Sequence, residues 1–194
     1  FSPGGDVARF AAEVEAGNGR AYARRTVGAL NAAILWLSAL PCPVVARVQG
    51  ALTGGALGLV LAADLVVMKP GAFIQPWYAV VGFAPDGGWT GMLADRIGAD
   101  RVRALHLLNG RITATEAQAL GLAQAVSGDP DGVIAGWLSV LAAHEPGSMA
   151  AVKRLLARDP APSLAAELAA FVERIETAEV RAGMARFLHS LERA

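Results

Sequence analysis

Two glycine-rich turns are the parts of this chain whose residue types and spacing best suit chemistry. Gly4 and Gly5 come just before a predicted helix, and Gly54 and Gly55 separate a predicted strand from another helix. Free backbone N–H groups and the positive end of a helix dipole point forward from such a joint, so each turn can bind an anion. The alternative role for glycine here is close packing of a helix on a strand.

An aspartate later in the chain adds a carboxylate to this pair of turns. Two N–H groups that converge on one oxygen form an oxyanion hole, which stabilises charge that develops on a carbonyl oxygen. The segment 82–88 holds Asp86 between Pro85 and Gly87. Asp86 is either a proton acceptor or an ordinary turn residue, and the local sequence favours the second. Neither glycine segment has the G-x-G-x-x-G spacing of a dinucleotide site or the Lys-Ser/Thr pair of a P-loop.

The composition excludes several functional classes. The 194 residues include 17 basic and 17 acidic side chains, without the basic excess of a nucleic-acid binder. Apolar residues make up 54% of the chain, which argues for a folded core. Cys42 is the sole cysteine, so no internal disulfide can form and a reducing, cytoplasmic location is expected. The sequence has no cluster with metal-ligand spacing and no unbroken apolar run of the roughly 18 residues that a membrane span needs.

Strand–helix alternation runs through the first part of the sequence and predicts an α/β core. Predicted helices lie at about 7–14, 20–40, 54–63 and 101–108, and predicted strands at 44–48, 65–68, 73–75 and 122–126. Thr113 and Glu116 have the spacing of a capping box and start another helix. Only helical patterns follow the polar turn at 127–132, so we predict an α/β core at 1–128 and an all-helical region at 129–194.

The ordered set of these motifs resembles the crotonase superfamily, the enoyl-CoA hydratases and isomerases. The resemblance rests on the first glycine turn, on P-x-P-V-V-A-x-V-x-G-x-x-x-G-G at 41–55 and on F-x-x-x-x-Y-x-x-x-G-x-x-P-D-G-G at 73–88. It continues at 96–105, at 107–126 and in the helical tail, and so spans essentially the whole chain. It implies a spiral of β-β-α turns with a C-terminal helical region, and it implies that the first strands of the core come before Phe1.

The resemblance also implies which residues do the chemistry. The N–H groups of Gly5 and Gly55 would hold the thioester carbonyl of an acyl-CoA, with coenzyme A as part of the substrate and no separate cofactor. Asp86 stands where double-bond isomerases of the family carry an aspartate. The residues expected to line the substrate site lie beside these three: Ser2, Pro3, Trp77, Tyr78, Phe83 and Gly87.

Departures from the family pattern indicate the reaction. Hydratases of this family use two glutamates, at the position that matches Gly58 and near 77–78, and neither is present. Hydration needs a base for the water and an acid for the α-carbon, whereas one carboxylate suffices for a 1,3-proton shift. We therefore expect an enoyl-CoA isomerase with Asp86 as the proton-transfer group. Neighbouring aromatic residues should raise the pKa of its carboxyl group by desolvation: Trp77, Phe83 and Trp89.

Several alternatives stay open at this point. Hydration by residual groups, thioester hydrolysis and a non-catalytic acyl-CoA-binding scaffold fit the same motifs. Dehalogenating relatives pair an aspartate with an earlier histidine, but all three histidines here follow Asp86 and favour surface or packing roles: His106, His144 and His189. Lys153 could meet the phosphates of coenzyme A or lie on a solvated helix face. The resemblance also implies a homotrimer, alone or paired as a hexamer, through the C-terminal helices.

Overall fold

The computed structural model describes residues 1–193, in which six short strands form two three-stranded sheets. One sheet joins β1 (Val45–Val48), β3 (Leu65–Met68) and β6 (Ala125–Val126), which are all parallel. The other joins β2 (Ala51–Thr53), β4 (Phe73–Gln75) and β5 (Ile112–Thr113), with β4 and β5 antiparallel. Each passage of the chain adds one strand to each sheet, so the predicted α/β spiral is confirmed.

Helices cover the sheets and make up the C-terminal part of the chain. Before β6 they are α1 (Val7–Glu15), α2 (Gly19–Ala39), α3 (Leu57–Leu61), α4 (Tyr78–Val81), α5 (Met92–Ile97), α6 (Ala99–Leu107) and α7 (Ala114–Ala119). After β6 they are α8 (Pro130–Ala142), α9 (Pro146–Leu156), α10 (Ala161–Arg174) and α11 (Ala178–Leu191). The predicted boundary after residue 128 falls in the loop between β6 and α8. Ala194, the end of the predicted helical region, lies outside the described residues. Across residues 1–193, no helix has both the length and the apolar character that crossing a membrane requires.

Local sequence explains where several of these helices begin and end. Asp6 caps α1, because its side chain accepts a hydrogen bond from the Arg9 amide at 2.9 Å. Thr113 and Glu116 form the predicted capping box at the start of α7. Asn109 follows α6 with a φ of 47°, the left-handed conformation that ends a helix and that asparagine tolerates.

The structure differs from the sequence prediction inside the second glycine segment. The sequence predicts one turn from Gly50 to Gly55, whereas its central residues form β2. Leu52 is fully buried and pairs with Ile74 of β4. Burial of that side chain on a pleated sheet outweighs the turn preference of the flanking glycines. The turn is therefore shorter than predicted, a 3₁₀ turn at Gly54–Ala56 that leads directly into α3.

A second apolar cluster ties the C-terminal helices to the start of the chain. Phe10 of α1 lies 5.5 Å from Phe171 of α10, measured between ring centroids. Val180 and Met184 of α11 are buried in the same cluster. Removal of these apolar side chains from water stabilises the contact by roughly 25 cal/mol per Å² buried. Helices α10 and α11 thus pack on α1 and α2 of their own chain.

Candidate active site

The two glycine turns lie side by side because Ser2 pairs with β2. The Ser2 amide donates to the Ala51 carbonyl oxygen at 2.9 Å, and the Ser2 carbonyl oxygen accepts from the Thr53 amide at 3.1 Å. The chain then turns at Gly4, where φ is 95°. A Cβ placed on Gly54 would stand 3.2 Å from the Gly4 Cα. This short backbone pairing brings the first glycine turn against the second. The local sequence around Ser2 does not predict it.

Each of the predicted oxyanion-hole donors lies at the start of a helix. Gly5 directly precedes Asp6, the N-cap of α1, and Gly55 lies in the 3₁₀ turn that leads into α3. Within residues 1–193, the Gly5 amide donates no hydrogen bond, and the Gly55 amide donates none outside its own 3₁₀ turn. Pro3 is exposed beside Gly5, and the Ser2 hydroxyl accepts from the following turn. Both N–H groups therefore have the freedom that the predicted oxyanion hole requires.

The Asp86 carboxylate lies against Gly55. A Cβ built on Gly55 would stand 3.0 Å from both Asp86 carboxylate oxygens and 2.5 Å from Cδ2 of Leu30 on α2. A Cβ on Gly87 would overlap the backbone of Gly55 from the other side. Close packing and anion binding were alternative roles for the glycine turn. At Gly55 the structure shows close packing, since the absence of a side chain lets the Asp86 carboxylate approach.

Asp86 is a buried carboxyl group with a raised pKa. It is 7% exposed, and its side chain faces into the protein, unlike that of an ordinary turn aspartate. Burial, with a smaller contribution from the charge of Glu167, raises the pKa of Asp86 to about 6. The hydrogen bond that Tyr78 donates to Oδ1 at 2.5 Å acts in the opposite direction. Burial and the Asp86 charge in turn raise the pKa of Tyr78, so its hydroxyl stays protonated.

Tyr78 belongs to an aromatic cluster with Trp89 and His106. Ring centroids lie 6.0 Å apart for Tyr78 and Trp89, and 5.7 Å apart for Tyr78 and His106. Trp89 is fully buried, and its indole N–H donates to the Gly54 carbonyl oxygen at 2.8 Å. Burial lowers the pKa of His106, whose Nε2 finds no hydrogen-bond partner among residues 1–193. His106 therefore packs against the rings of Tyr78 and Trp89.

Two predicted contact residues point towards the C-terminal helices. Trp77 has a φ of 62°, and its ring lies 5.9 Å from that of Phe187 on α11. The Phe83 ring lies 5.5 Å from Phe10 and 5.0 Å from Phe171. The aromatic contacts of both rings are thus packing contacts with helices α1, α10 and α11.

Glycine at position 58 is a consequence of packing. A Cβ on Gly58 would overlap the Gly87 carbonyl oxygen and Cδ1 of Ile34 on α2. The backbone of the Asp86 loop thus fills the space into which a side chain at this position would extend. A glutamate, the residue that family hydratases need here, does not fit without separating α3 from that loop.

Glu167 is a candidate that the sequence analysis missed. It lies on α10, is 4% exposed, and accepts hydrogen bonds from the Gly88 amide at 2.7 Å and the Thr90 amide at 2.7 Å. The Thr90 hydroxyl donates to it as well, at 2.5 Å. These bonds hold the residues that follow Asp86. The signal in the sequence is an acidic residue on the buried side of α10, between Leu164 and Phe171.

Lys153, a candidate for binding the phosphates of coenzyme A, forms an ion pair outside this site. Lys153 of α9 donates to the Asp64 carboxylate and, at 2.9 Å, to the Cys42 carbonyl oxygen. Asp64 also accepts from the Val44 amide at 2.7 Å. These contacts tie α9 to the start of β1. Among residues 1–193, no three His, Cys, Asp or Glu side chains form a cluster that could hold a metal ion.

A large cavity lies away from the glycine turns. Its volume is about 1060 Å³, and it opens between α3, α5 and α9, with Leu61, Met92 and Met149 in its wall. Neither Gly55 nor Asp86 lines it. This cavity is therefore separate from the candidate active site.

Curated relatives and a family model identify the family of this chain. The sequence matches the family model described as enoyl-CoA hydratase/isomerase over residues 1–193. YngF of Bacillus subtilis, named for that family, is 31% identical over 157 residues, which cover 78% of this chain and 60% of YngF. YhaR of the same organism, also named for it, is 30% identical over 131 residues, which cover 67% of this chain and 50% of YhaR. The chain thus spans half to three fifths of the length of these relatives.

Solved structures share the fold. An enoyl-CoA hydratase from Bacillus halodurans superposes with a TM-score of 0.88 at 23% identity, over 96% of this chain and 76% of that chain. An enoyl-CoA hydratase/isomerase from Mycobacterium paratuberculosis gives a TM-score of 0.84 at 25% identity, over 96% and 75% of the two chains. With the motifs, the spiral of strands and the match over residues 1–193, the chain belongs to the enoyl-CoA hydratase/isomerase family of the crotonase superfamily.

Proposed function

We propose that this protein is an acyl-CoA enzyme that moves the double bond of an enoyl-CoA by a 1,3-proton shift. One observation carries the proposal: the buried carboxylate of Asp86 lies in contact with Gly55 at the predicted oxyanion turn. Family membership supplies the thioester class of substrate, with coenzyme A entering as part of that substrate. The arrangement around Asp86 supports isomerisation as the reaction.

The reaction starts with the thioester carbonyl oxygen at the Gly5 and Gly55 amides. Ionised Asp86 takes a proton from C2 of a 3-enoyl-CoA, and the electrons of that C–H bond move into a dienolate whose charge rests on the carbonyl oxygen. Asp86 then returns the proton to C4, which leaves the double bond between C2 and C3. A pKa of about 6 suits this cycle, because the group is ionised at neutral pH yet holds a proton better than an ordinary aspartate.

Tyr78 gives the two carboxylate oxygens different tasks. Its hydroxyl occupies Oδ1 of Asp86, and within residues 1–193 no other residue donates a hydrogen bond to Oδ2. Oδ2 is therefore the oxygen that exchanges the proton with substrate, while the bond to Oδ1 fixes the orientation of the carboxylate. Leu30 of α2 also packs against Gly55.

Hydration is the second candidate, because similar proteins include an enoyl-CoA hydratase of known structure. It needs a second group to activate water beside the one that protonates carbon. Position 58 has no space for a glutamate, and at 77–78 the side chain that contacts Asp86 is the protonated hydroxyl of Tyr78. These two observations favour isomerisation over hydration.

An assay with matched 3-enoyl-CoA and 2-enoyl-CoA substrates tests the proposal. Isomerisation of the 3-enoyl substrate creates the absorbance of a conjugated thioester. Asp86→Asn should abolish that change and retain acyl-CoA binding, while Asp95→Asn, an exposed aspartate on α5, should behave as the parent. Unchanged turnover in Asp86→Asn contradicts the proposal. Loss of the conjugated absorbance of the 2-enoyl substrate indicates a hydratase, release of free thiol a hydrolase, and saturable binding without turnover a scaffold.

A homotrimer, alone or paired, remains our proposal for the assembly. Its support is a set of exposed apolar side chains that a partner subunit could cover: Leu107 (75% exposed), Leu108 (80%), Leu155 (79%) and Leu156 (76%). Light scattering coupled to size exclusion measures the mass directly. A monomer at micromolar concentration would contradict the assembly and leave the isomerase proposal standing.

A further inference from the structure

We propose that Glu167, on C-terminal helix α10, is a positioning residue for Asp86. It would fix the loop that carries the catalytic carboxylate, and so make the helical region part of the active site. The role assigned to Asp86 rests on the proposed function, whereas the contact between helix and loop does not. The two are therefore tested by separate measurements.

The contacts show an anchor with both carboxylate oxygens engaged. Oε2 of Glu167 accepts from the Gly88 amide, and Oε1 accepts from both the amide and the hydroxyl of Thr90. A charge-assisted hydrogen bond is about twice as strong as a neutral one. Gly88 is only two residues beyond Asp86. A displacement at Gly88 therefore moves the base itself.

The loop needs such an anchor because its backbone is otherwise permissive. Gly87 and Gly88 have φ values of 68° and 85°, so two successive residues lie in the left-handed region. Glycine adopts that region easily and leaves it as easily. Trp89 ties one side of the loop to the glycine turn through the Gly54 carbonyl oxygen. Glu167 ties the other side to α10.

Helix α10 also holds the opposite wall of the site. Nδ2 of Asn31, on α2, donates to the Leu164 carbonyl oxygen at 3.1 Å. The same helix α2 presents Leu30 to Gly55. One turn of α10 therefore fixes α2, and the next fixes the Asp86 loop. The distance between base and oxyanion turn depends on both.

The charged and titratable groups around Asp86 allow a readout that stability alone would not move. Tyr78 faces it from α4 and Glu167 from α10, while His106 of α6 packs against Tyr78. The negative charge of Glu167 raises the pKa of Asp86. Replacement of that charge by a neutral amide should therefore lower the pH at which Asp86 ionises.

Glu167→Gln in the full chain tests the proposal. The glutamine carbonyl oxygen can still accept from Thr90, but its NH₂ group opposes the Gly88 N–H, so the loop shifts. The ¹³C carboxyl resonance of Asp86, assigned by its absence in Asp86→Asn, should titrate at lower pH than in the parent. Glu173→Gln, an exposed site on the same helix, should leave that midpoint unchanged.

Kinetics complete the test. For Glu167→Gln we expect kcat to fall by about 10- to 100-fold with little change in KM, because a base displaced by about an ångström loses that much. A variant with parent kcat and a parent Asp86 midpoint, but a lower Tm, overturns the proposal. If Glu167→Gln does not fold, Thr90→Val provides the test, since it removes only the hydroxyl group that donates to Glu167. A several-fold loss of kcat in Thr90→Val supports the positioning role. A kcat equal to that of the parent overturns it. If the protein isomerises nothing, the proposed function is contradicted. A moved midpoint then shows that Glu167 acts on Asp86, and an unmoved midpoint overturns the positioning proposal as well.

Discussion

Asp86 and Glu167 are both buried carboxylates, 7% and 4% exposed, yet their surroundings differ. Glu167 accepts three hydrogen bonds from the Asp86 loop, whereas Asp86 accepts one from Tyr78. A buried carboxylate whose oxygens are all engaged is suited to holding structure together. Within residues 1–193 no hydrogen bond is donated to Oδ2 of Asp86, and the pKa of this carboxyl group is raised to about 6. The number of donors, rather than burial, separates the anchor from the proposed base.

Separate removal of the two charges should give opposite patterns of activity and stability. Asp86→Asn should lower isomerisation by roughly 10²- to 10⁴-fold, the usual contribution of a general base. Its stability should be kept or improved, because asparagine can still accept from Tyr78 and brings no buried charge. Glu167→Gln should cost about 1–3 kcal/mol of unfolding free energy, because the Gly88 amide loses its partner.

Denaturant unfolding and an enoyl-CoA assay on both variants measure this crossover. A large loss of stability in Asp86→Asn would show that its charge holds structure, as that of Glu167 does. The contrast between the two carboxylates would then be wrong.

A third carboxylate, at position 58, would probe the space beside the Asp86 loop. Gly58→Glu adds the residue that family hydratases carry, but its Cβ would overlap the Gly87 carbonyl oxygen and Ile34. We expect a loss of about 1–3 kcal/mol or more from overpacking, a loss of isomerisation, and no hydration. Gly136→Glu on α8 is the control, since a Cβ there meets no atom within 4 Å. Gain of hydratase activity by Gly58→Glu would show that the loop yields and that the position is functional.

The dependence of activity and stability on pH sharpens the comparison through Asp86 alone. Its pKa rises from an ordinary 3.8 to about 6, so kcat/KM should fall about tenfold per pH unit below about pH 6 as the base is protonated. Because the folded pKa is the higher one, the folded state binds this proton more tightly. Protonation of Asp86 therefore contributes to the free energy of unfolding, fully below about pH 4. This contribution, about 3 kcal/mol, is lost as the pH rises through about 6.

Unfolding of the parent and of Asp86→Asn should therefore diverge with rising pH, with the variant the more stable at neutral pH. Equal stability of the two proteins at acid and neutral pH would place Asp86 in a solvated environment. The proposed base would then lack its distinguishing feature.

Features that depend on neighbours in sequence were predicted, whereas features that depend on contacts between distant residues were missed. The helix at 20–40 and the capping box at Thr113 were predictable, because helix periodicity and capping depend on neighbours in sequence. Strand β2 was missed because it depends on pairing with β4, about one strand–helix unit later. The ordered motifs named Gly5, Gly55 and Asp86. The anchoring of the Asp86 loop by Glu167 could not be predicted, since 79 residues separate Glu167 from Gly88.

The smallest expected effect comes from removing the single hydrogen bond that the Asp86 carboxylate accepts. Tyr78→Phe removes the hydroxyl from Oδ1 of Asp86, and this hydrogen bond lowers the pKa of that carboxyl group. The acid limb of the kcat/KM profile should therefore move to higher pH, opposite to the shift expected for Glu167→Gln. Above the limb, kcat should fall by less than about tenfold, because a neutral hydrogen-bond donor contributes about 1 kcal/mol. Tyr22→Phe is the matched control, because Tyr22 packs on Phe10 and donates no hydrogen bond to Asp86 within residues 1–193. If Tyr78→Phe leaves the limb in place, Tyr78 does not set the protonation of Asp86, and burial beside Glu167 is sufficient to explain its pKa.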